Sequence, residues 1–308
     1  MSTAYCLSIC HGKACEYENF EFFDENDKKN LAFPFFNSNW INENVLAMQR
    51  PSESLIKQID LLKRFKDCGI GAIFNLQEPG EHAYCGDGII EKNGFSYDPR
   101  AFINNQITRK DMSTPDCEKM LNIVQIMDDE ICKNKKKVAV HCHAGLGNLC
   151  VIFGLFQQNQ RRCSNSTSSC KEVLMLAIKN RPKALLTNKQ CEFIQEFQTF
   201  LGQLRLTFPI GTQKIEYSDF LKRQKMILRG KEAIKYKSIP KFLELFVNRI
   251  FKETDLGFKN IDDFLVHSKG IDISDERSLL NNQDFKFIEI AKPIKLFTII
   301  DSWLRSLD

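Results

Sequence analysis

One stretch, VAVHCHAGLG at residues 138–147, limits the fold of this chain more than any other. Its first three residues are apolar and β-branched-rich, which predicts a short buried strand. The next seven carry two glycines, Gly145 and Gly147, which can take the positive φ angles of a tight loop. LCVIFGLF then continues as an apolar helix. Strand, glycine loop and helix in direct succession set free backbone N–H groups around the loop, a natural cradle for an anion. Such a unit needs a sheet covered by helices, so the predicted class is α/β with a small central sheet flanked by helices.

The flanking sequence fits that class. NWINENVLAM reads as a short strand pair. From Pro51 to Gly69, Leu55, Ile59, Leu62 and Phe65 recur at helical spacing, with Pro51 tolerated in the first turn and Gly69 ending the helix. IGAIFNL reads as a buried strand closed by the turn signal EPGEH. Residues 115–134 form a second amphipathic helix, with Met120, Ile123, Val124 and Met127 on one face and Ser113 or Thr114 as its cap. The run KNKKK reads as a solvated turn. Residues 161–170 read as a loop, and CKEVLMLAIKNRP and NKQCEFIQEFQTFLGQL as helices. Beyond LTFPIG the chain turns Lys-rich and helical. The predicted organisation is an irregular N-terminal arm at 1–36, an α/β domain at 37–208 and a C-terminal helical extension at 209–308. The extension is expected either to pack on the α/β domain or to serve as an interaction surface. The first is favoured, because Phe242, Leu243, Leu245 and Phe246 need burial.

Composition narrows the function. The chain has 308 residues, 43% of them hydrophobic, enough for a core without staples. A net charge of +4 suits an anionic substrate without specifying one. Basic residues alternate with acids and no binding motif appears, which argues against nucleic acid. No window is long and apolar enough for membrane insertion, and MSTAYCLSIC lacks the pattern of a secretory signal. The 12 cysteines are therefore expected as free thiols. Cys6, Cys10, His11 and Cys15 cluster without paired C-x2-C knuckles, so neither a metal nor another cofactor is expected.

Cys142 is the chemically loaded residue. A thiol directly after a strand and before a helix lies among free N–H groups at the positive end of the helix dipole. Both favour the thiolate, which is the nucleophilic form. The same N–H groups would hold phosphoryl oxygens, so the loop suits in-line attack on a phosphate ester. His141 is placed to fix the orientation of the cysteine through a backbone hydrogen bond. The bland alternative is a buried Cys in a glycine turn.

His141, Cys142 and Gly145 resemble the HCxxGxxR signature of the protein tyrosine and dual-specificity phosphatases. Longer strings resemble one branch of that family in the same order: GKACEYENF, NWINENVLAMQRPSESLI, AIFNLQEPGEHAYCG and FLKRQKMILRGKEAIKYKSIPK. The resemblance implies a cysteine-phosphatase fold and a phosphocysteine at Cys142. It implies a phosphate loop built from His143, Ala144, Gly145, Leu146, Gly147 and Asn148. In RKDMSTPDCEKM it sets Asp111 in the general acid's place, with Arg109 where an aromatic would stand and Asp116 as second choice. Gln190 resembles the glutamine that positions the hydrolytic water. Glu81 and His82 either line the pocket or build a turn. A phosphorylated protein is the implied substrate, on tyrosine or also on serine and threonine. A cytoplasmic setting with ciliary, centrosomal or cytoskeletal partners is implied by the resemblance alone.

Two departures stand against the pattern. Asn148 replaces the signature arginine, followed by Leu149 and Cys150, and the segment from Phe102 to Asp111 is short enough to put a core strand in question. An arginine gives phosphate a charged, bidentate contact that one amide does not match. Three readings stay open from the residues: a slow phosphatase, a phosphoprotein-binding module without turnover, and a coding sequence in error at these two places.

Overall fold

The computed structural model describes residues 8, 11–105, 108–111, 116–144, 175, 179, 188–211, 214–252, 266–268 and 270–308. It divides into two compact units, one of residues 1–161 and 165–197, the other of residues 162–164 and 198–308.

The first unit is built on a five-stranded sheet in the order β1-β2-β5-β3-β4. Its strands are β1 (Ser38–Trp40), β2 (Val45–Met48), β3 (Ile70–Asn75), β4 (Thr108–Asp111) and β5 (Lys137–His141). The pair β1 and β2 is the expected hairpin and is antiparallel, whereas β2, β5, β3 and β4 run parallel. Parallel strands need crossovers, and the sequence supplies them as helices. The strand in question before Asp111 is therefore present, as β4 along the edge of β3.

Period-2 alternation sends successive strand residues to opposite faces. Leu46, Met48, Ile73 and Ala139 join Phe33, Phe36, Phe65 and Phe102 in one cluster. Val45, Ala47, Phe74, Val138 and Val140 point the other way and are buried as well. A sheet buried on both faces is what an all-apolar VLAM or VAV requires. Each fully buried Phe or Leu contributes about 1.5–3 kcal/mol.

Three local expectations need correction. The helix expected from Pro51 to Gly69 is two helices, Glu53–Gln58 and Leu61–Asp67. The break falls at Asp60, whose φ of 50° lies in the left-handed region that a short polar side chain tolerates. The helix Cys117–Asp128 is capped by Asp116, which accepts from the Lys119 N–H at 2.8 Å, and not by Ser113 or Thr114. The N-terminal arm is irregular but packed: Phe33 and Phe36 sit in the main cluster, and Cys15 is fully buried.

The second unit begins within the helix Asn188–Arg205, ahead of the expected boundary at 208. Its helices Tyr217–Ile227, Lys241–Ile250, Ser274–Asn281 and Pro293–Arg305 bury Phe220, Phe242, Phe246, Leu280, Leu296, Ile299 and Trp303 in a core of their own. Trp303 donates its indole N–H to the Thr207 carbonyl at 2.9 Å, and Asn281 accepts from the N–H groups of Thr207 and Phe208. The apolar residues of this extension find burial within it, so they do not need the α/β domain to cover them. Among the described residues, no helix is long and apolar enough to cross a membrane.

Candidate active site

Cys142 leaves the carboxyl end of β5, the strand with parallel neighbours on both sides. In open parallel sheets that edge is where ligands bind. The backbone around it is fixed from both flanks. The Leu76 N–H, just past β3, donates to the His141 carbonyl at 2.9 Å, and the Arg50 N–H, just past β2, donates to the His143 carbonyl at 3.0 Å. Cys142 itself is half-buried, as an accessible thiol should be.

Sheet register brings Asp111 to the same edge. Asn75 at the end of β3 pairs with His141 on one side and with Asp111 on the other. Two strand spacings of about 4.8 Å put the Asp111 backbone roughly 10 Å from that of His141. Asp116, the second choice for an acid, is occupied as the helix cap; its carboxyl is held below the usual range first by the Lys119 backbone N–H.

His141 is fully buried and its Nε2 lies 2.8 Å from the Tyr97 hydroxyl. Its Nδ1 is 3.4 Å from the Cys142 carbonyl, long for a hydrogen bond. His143 turns away from solvent. Its Nε2 is 2.8 Å from Glu18 Oε1 and 3.5 Å from Cys15 Sγ, and its ring stacks on His82 with centroids 3.7 Å apart. Ala144 is half-buried at the start of the loop. Gly145, Leu146, Gly147 and Asn148 lie outside the described residues, as do Leu149 and Cys150. Gln190 is half-buried near the start of the helix Asn188–Arg205.

Glu81 and His82 of EPGEH lie in a turn. His82 takes a φ of 54° and is buried. Burial comes first among the causes that push its pKa down to about 3, followed by the charges of His143 and Arg50, so its ring is neutral at physiological pH.

Sequence reasoning missed the support beneath the loop. Arg50 is buried at the end of β2. Its Nε donates to Glu18 Oε1 at 2.7 Å, its Nη2 to the Cys85 carbonyl at 2.6 Å, and its Nη1 reaches the Glu81 carbonyl at 3.4 Å. Arg50 thus ties three segments together, holding the N-terminal segment and the turn at 81–85 with its guanidinium and the exit of β5 with its main-chain N–H. Gly86 has a φ of 51°, and a Cβ there would lie 2.0 Å from Glu18 Oε2, so only glycine lets the carboxylate in. The one available signal was a charged residue two positions after the fully apolar VLAM; nothing local marked Glu18.

The chain is similar to known proteins over this region. Residues 46–155 match the family model described as "Polymorphic toxin system, DSP-PTPase phosphatase". Protein tyrosine phosphatase domain-containing protein 1 of Danio rerio is 33% identical over 248 residues, covering 78% of this chain and 33% of that protein. Its Mus musculus counterpart is 33% identical over 248 residues, covering 78% and 32%. The chain spans about a third of the length of these curated relatives. Among solved structures, Tk-PTP in its active form aligns with a TM-score of 0.42 at 20% identity, covering 53% of this chain and 96% of that one. The α/β domain of this chain belongs to the protein tyrosine and dual-specificity phosphatase superfamily.

Proposed function

We propose that the chain is a protein phosphatase that hydrolyses phosphotyrosine, with phosphoserine and phosphothreonine as further substrates, through a phosphocysteine at Cys142. The observation that carries this reading is the row His141–Asn75–Asp111 across three parallel strands, with the thiol one residue beyond its first member. A nucleophile and an acid at one sheet edge, about 10 Å apart along the backbone, leave room for a phosphoryl group between them.

In this mechanism the Cys142 thiolate attacks phosphorus in line, and the bond to the seryl, threonyl or tyrosyl oxygen breaks. Asp111 gives its proton to the leaving oxygen. Water then attacks the phosphocysteine, Asp111 takes a proton from it, and inorganic phosphate leaves with the thiolate restored. Main-chain N–H groups of residues 143–148 hold the equatorial oxygens. Gln190 orients the water. The Arg50–Glu18 pair acts on the loop through backbone. We extend the proposal to a cytoplasmic setting linked to cilia or centrosomes, on the resemblance alone.

The second reading, a phosphoprotein-binding module without turnover, draws on Asn148. Loss of one preorganised donor slows a reaction by about 10²–10³. Release of phosphate from an aryl phosphate and from a phosphotyrosine peptide, by the full chain and by Cys142→Ser, tests the two. The enzyme reading expects release that disappears in the variant. Equal background release in both removes it, and retention of the phosphopeptide without release establishes the binding module.

A further inference from the structure

Three chain segments converge beneath the β5 exit with a set of side chains that the phosphatase reading does not use. Cys15 follows a single 3-10 turn at Gly12–Ala14, Cys85 lies in the turn after His82, and His143 follows Cys142. Both sulfurs are fully buried. The two Sγ atoms and a ring nitrogen of His143 lie within 4.8 Å of one another. We propose that Cys15, Cys85 and His143 form a structural site for a divalent, borderline-soft cation, with zinc as the natural occupant.

The spacing fits the chemistry. With Zn–S near 2.3 Å and Zn–N near 2.0–2.1 Å, a tetrahedral angle gives an S···N edge of about 3.5–3.6 Å. Cys15 Sγ stands 3.5 Å from His143 Nε2. A second S···N approach, Cys85 Sγ to His82 Nδ1, is 3.6 Å. The Glu18 carboxylate, 2.8 Å from His143 Nε2, supplies a fourth donor beside the trio. That distance is a hydrogen bond; on metal binding the ring proton passes to Nδ1, Nε2 becomes the ligand and the carboxylate turns toward the metal.

Charge also balances. Arg50 and Glu18 already cancel, both with side chains at most 9% exposed. Zn²⁺ entering with loss of two thiol protons to solvent adds +2 and −2, so the buried nest stays neutral. The His82 ring stacks on His143 with centroids 3.7 Å apart and walls the site on that side. Metal ligation would join the N-terminal segment to the residue next to Cys142, which makes the site a brace for the loop. Cys6, Cys10, His11 and Cys15 as a sequence cluster give no expectation of a metal; the fold gives Cys15 partners 70 and 128 residues away, Cys85 and His143.

The test is metal content of the full chain, purified without a histidine tag and dialysed against metal-free buffer, measured by mass spectrometry. The expected result is about one zinc per chain in the parent and in Cys142→Ser, and in the double variant Cys6→Ser/Cys10→Ser, falling at least about fivefold in Cys15→Ala and in Cys85→Ala. Cobalt titration of the stripped parent should give a thiolate charge-transfer band and the strong visible bands of a tetrahedral site, a readout that holds if the alanine variants do not fold. Retention of less than a tenth of an equivalent by the parent overturns the proposal, taking about one equivalent as full loading. So does loss of metal in the Cys6/Cys10 variant, a cobalt spectrum without thiolate bands, or a Cys15–Cys85 disulfide in the unreduced peptide map.

Discussion

Glu18→Gln removes the counter-charge of Arg50 beneath the Cys142 loop, while an amide oxygen is left to accept from Arg50 and His143. Gln keeps the shape and one acceptor oxygen but leaves the Arg50 charge without a counter-charge, where the arginine side chain is 1% exposed. Breaking a buried pair from one side costs about 3–5 kcal/mol. Arg50 keeps its bonds to the carbonyls of Cys85 and Glu81, which favours the lower end, about 3 kcal/mol. The assay needs a signal from the first unit alone. The chain has two tryptophans, Trp40 in β1 and Trp303 in the core of the second unit. In a Trp303→Phe background, Trp40 fluorescence reports the sheet. With an m-value near 2 kcal/mol/M, the urea midpoint should fall by about 1.5 M. A chelator in every sample keeps metal binding out of the comparison. Replacing both partners, Glu18→Leu with Arg50→Met, should recover part of that loss, since no buried charge then remains while the Cys85 and Glu81 carbonyls lose their donor. A loss below about 1 kcal/mol in Glu18→Gln, the worth of an exposed pair, would refute the claim that this pair is desolvated and braces the loop.

Asp111→Asn should lower kcat for a phosphotyrosine peptide by about 10²–10⁴, with less effect on aryl phosphates whose leaving group needs no proton. Asp116→Ala should cost about 1 kcal/mol of stability through the lost helix cap and leave turnover nearly unchanged, which urea titration and steady-state rates check together. Tyr97→Phe leaves His141 Nε2 buried without its 2.8 Å partner and should cost about 1–3 kcal/mol in the same urea assay. Asn148→Arg should raise turnover by about tenfold or more by restoring a charged bidentate phosphate contact; no gain would count against the loop geometry that the phosphatase reading requires.

Local pattern was enough to foresee the class of the first unit. VLAM, IGAIFN and KVAVH are strands because continuous apolar, β-rich runs of that length suit a doubly covered parallel sheet, and Cys142 follows from VAVH by position alone. The buried face of Cys117–Asp128 was readable from its helical period. The break at Asp60 was not, since the apolar spacing of Leu55, Ile59 and Leu62 runs across it as if the helix were continuous.

Tertiary structure decided which distant residues meet. Glu18 and Arg50 are 32 positions apart, and Cys15 and His143 are 128 apart. Periodicity and capping signals are written in neighbours a few residues away, so they carry no trace of such pairs. Strand order and register, set by burial on both faces of the sheet, align Asp111 with His141 and draw the N-terminal segment in beneath the loop. The sequence alone determined that a thiol would stand at a strand's end; the packing of the chain determined what surrounds it.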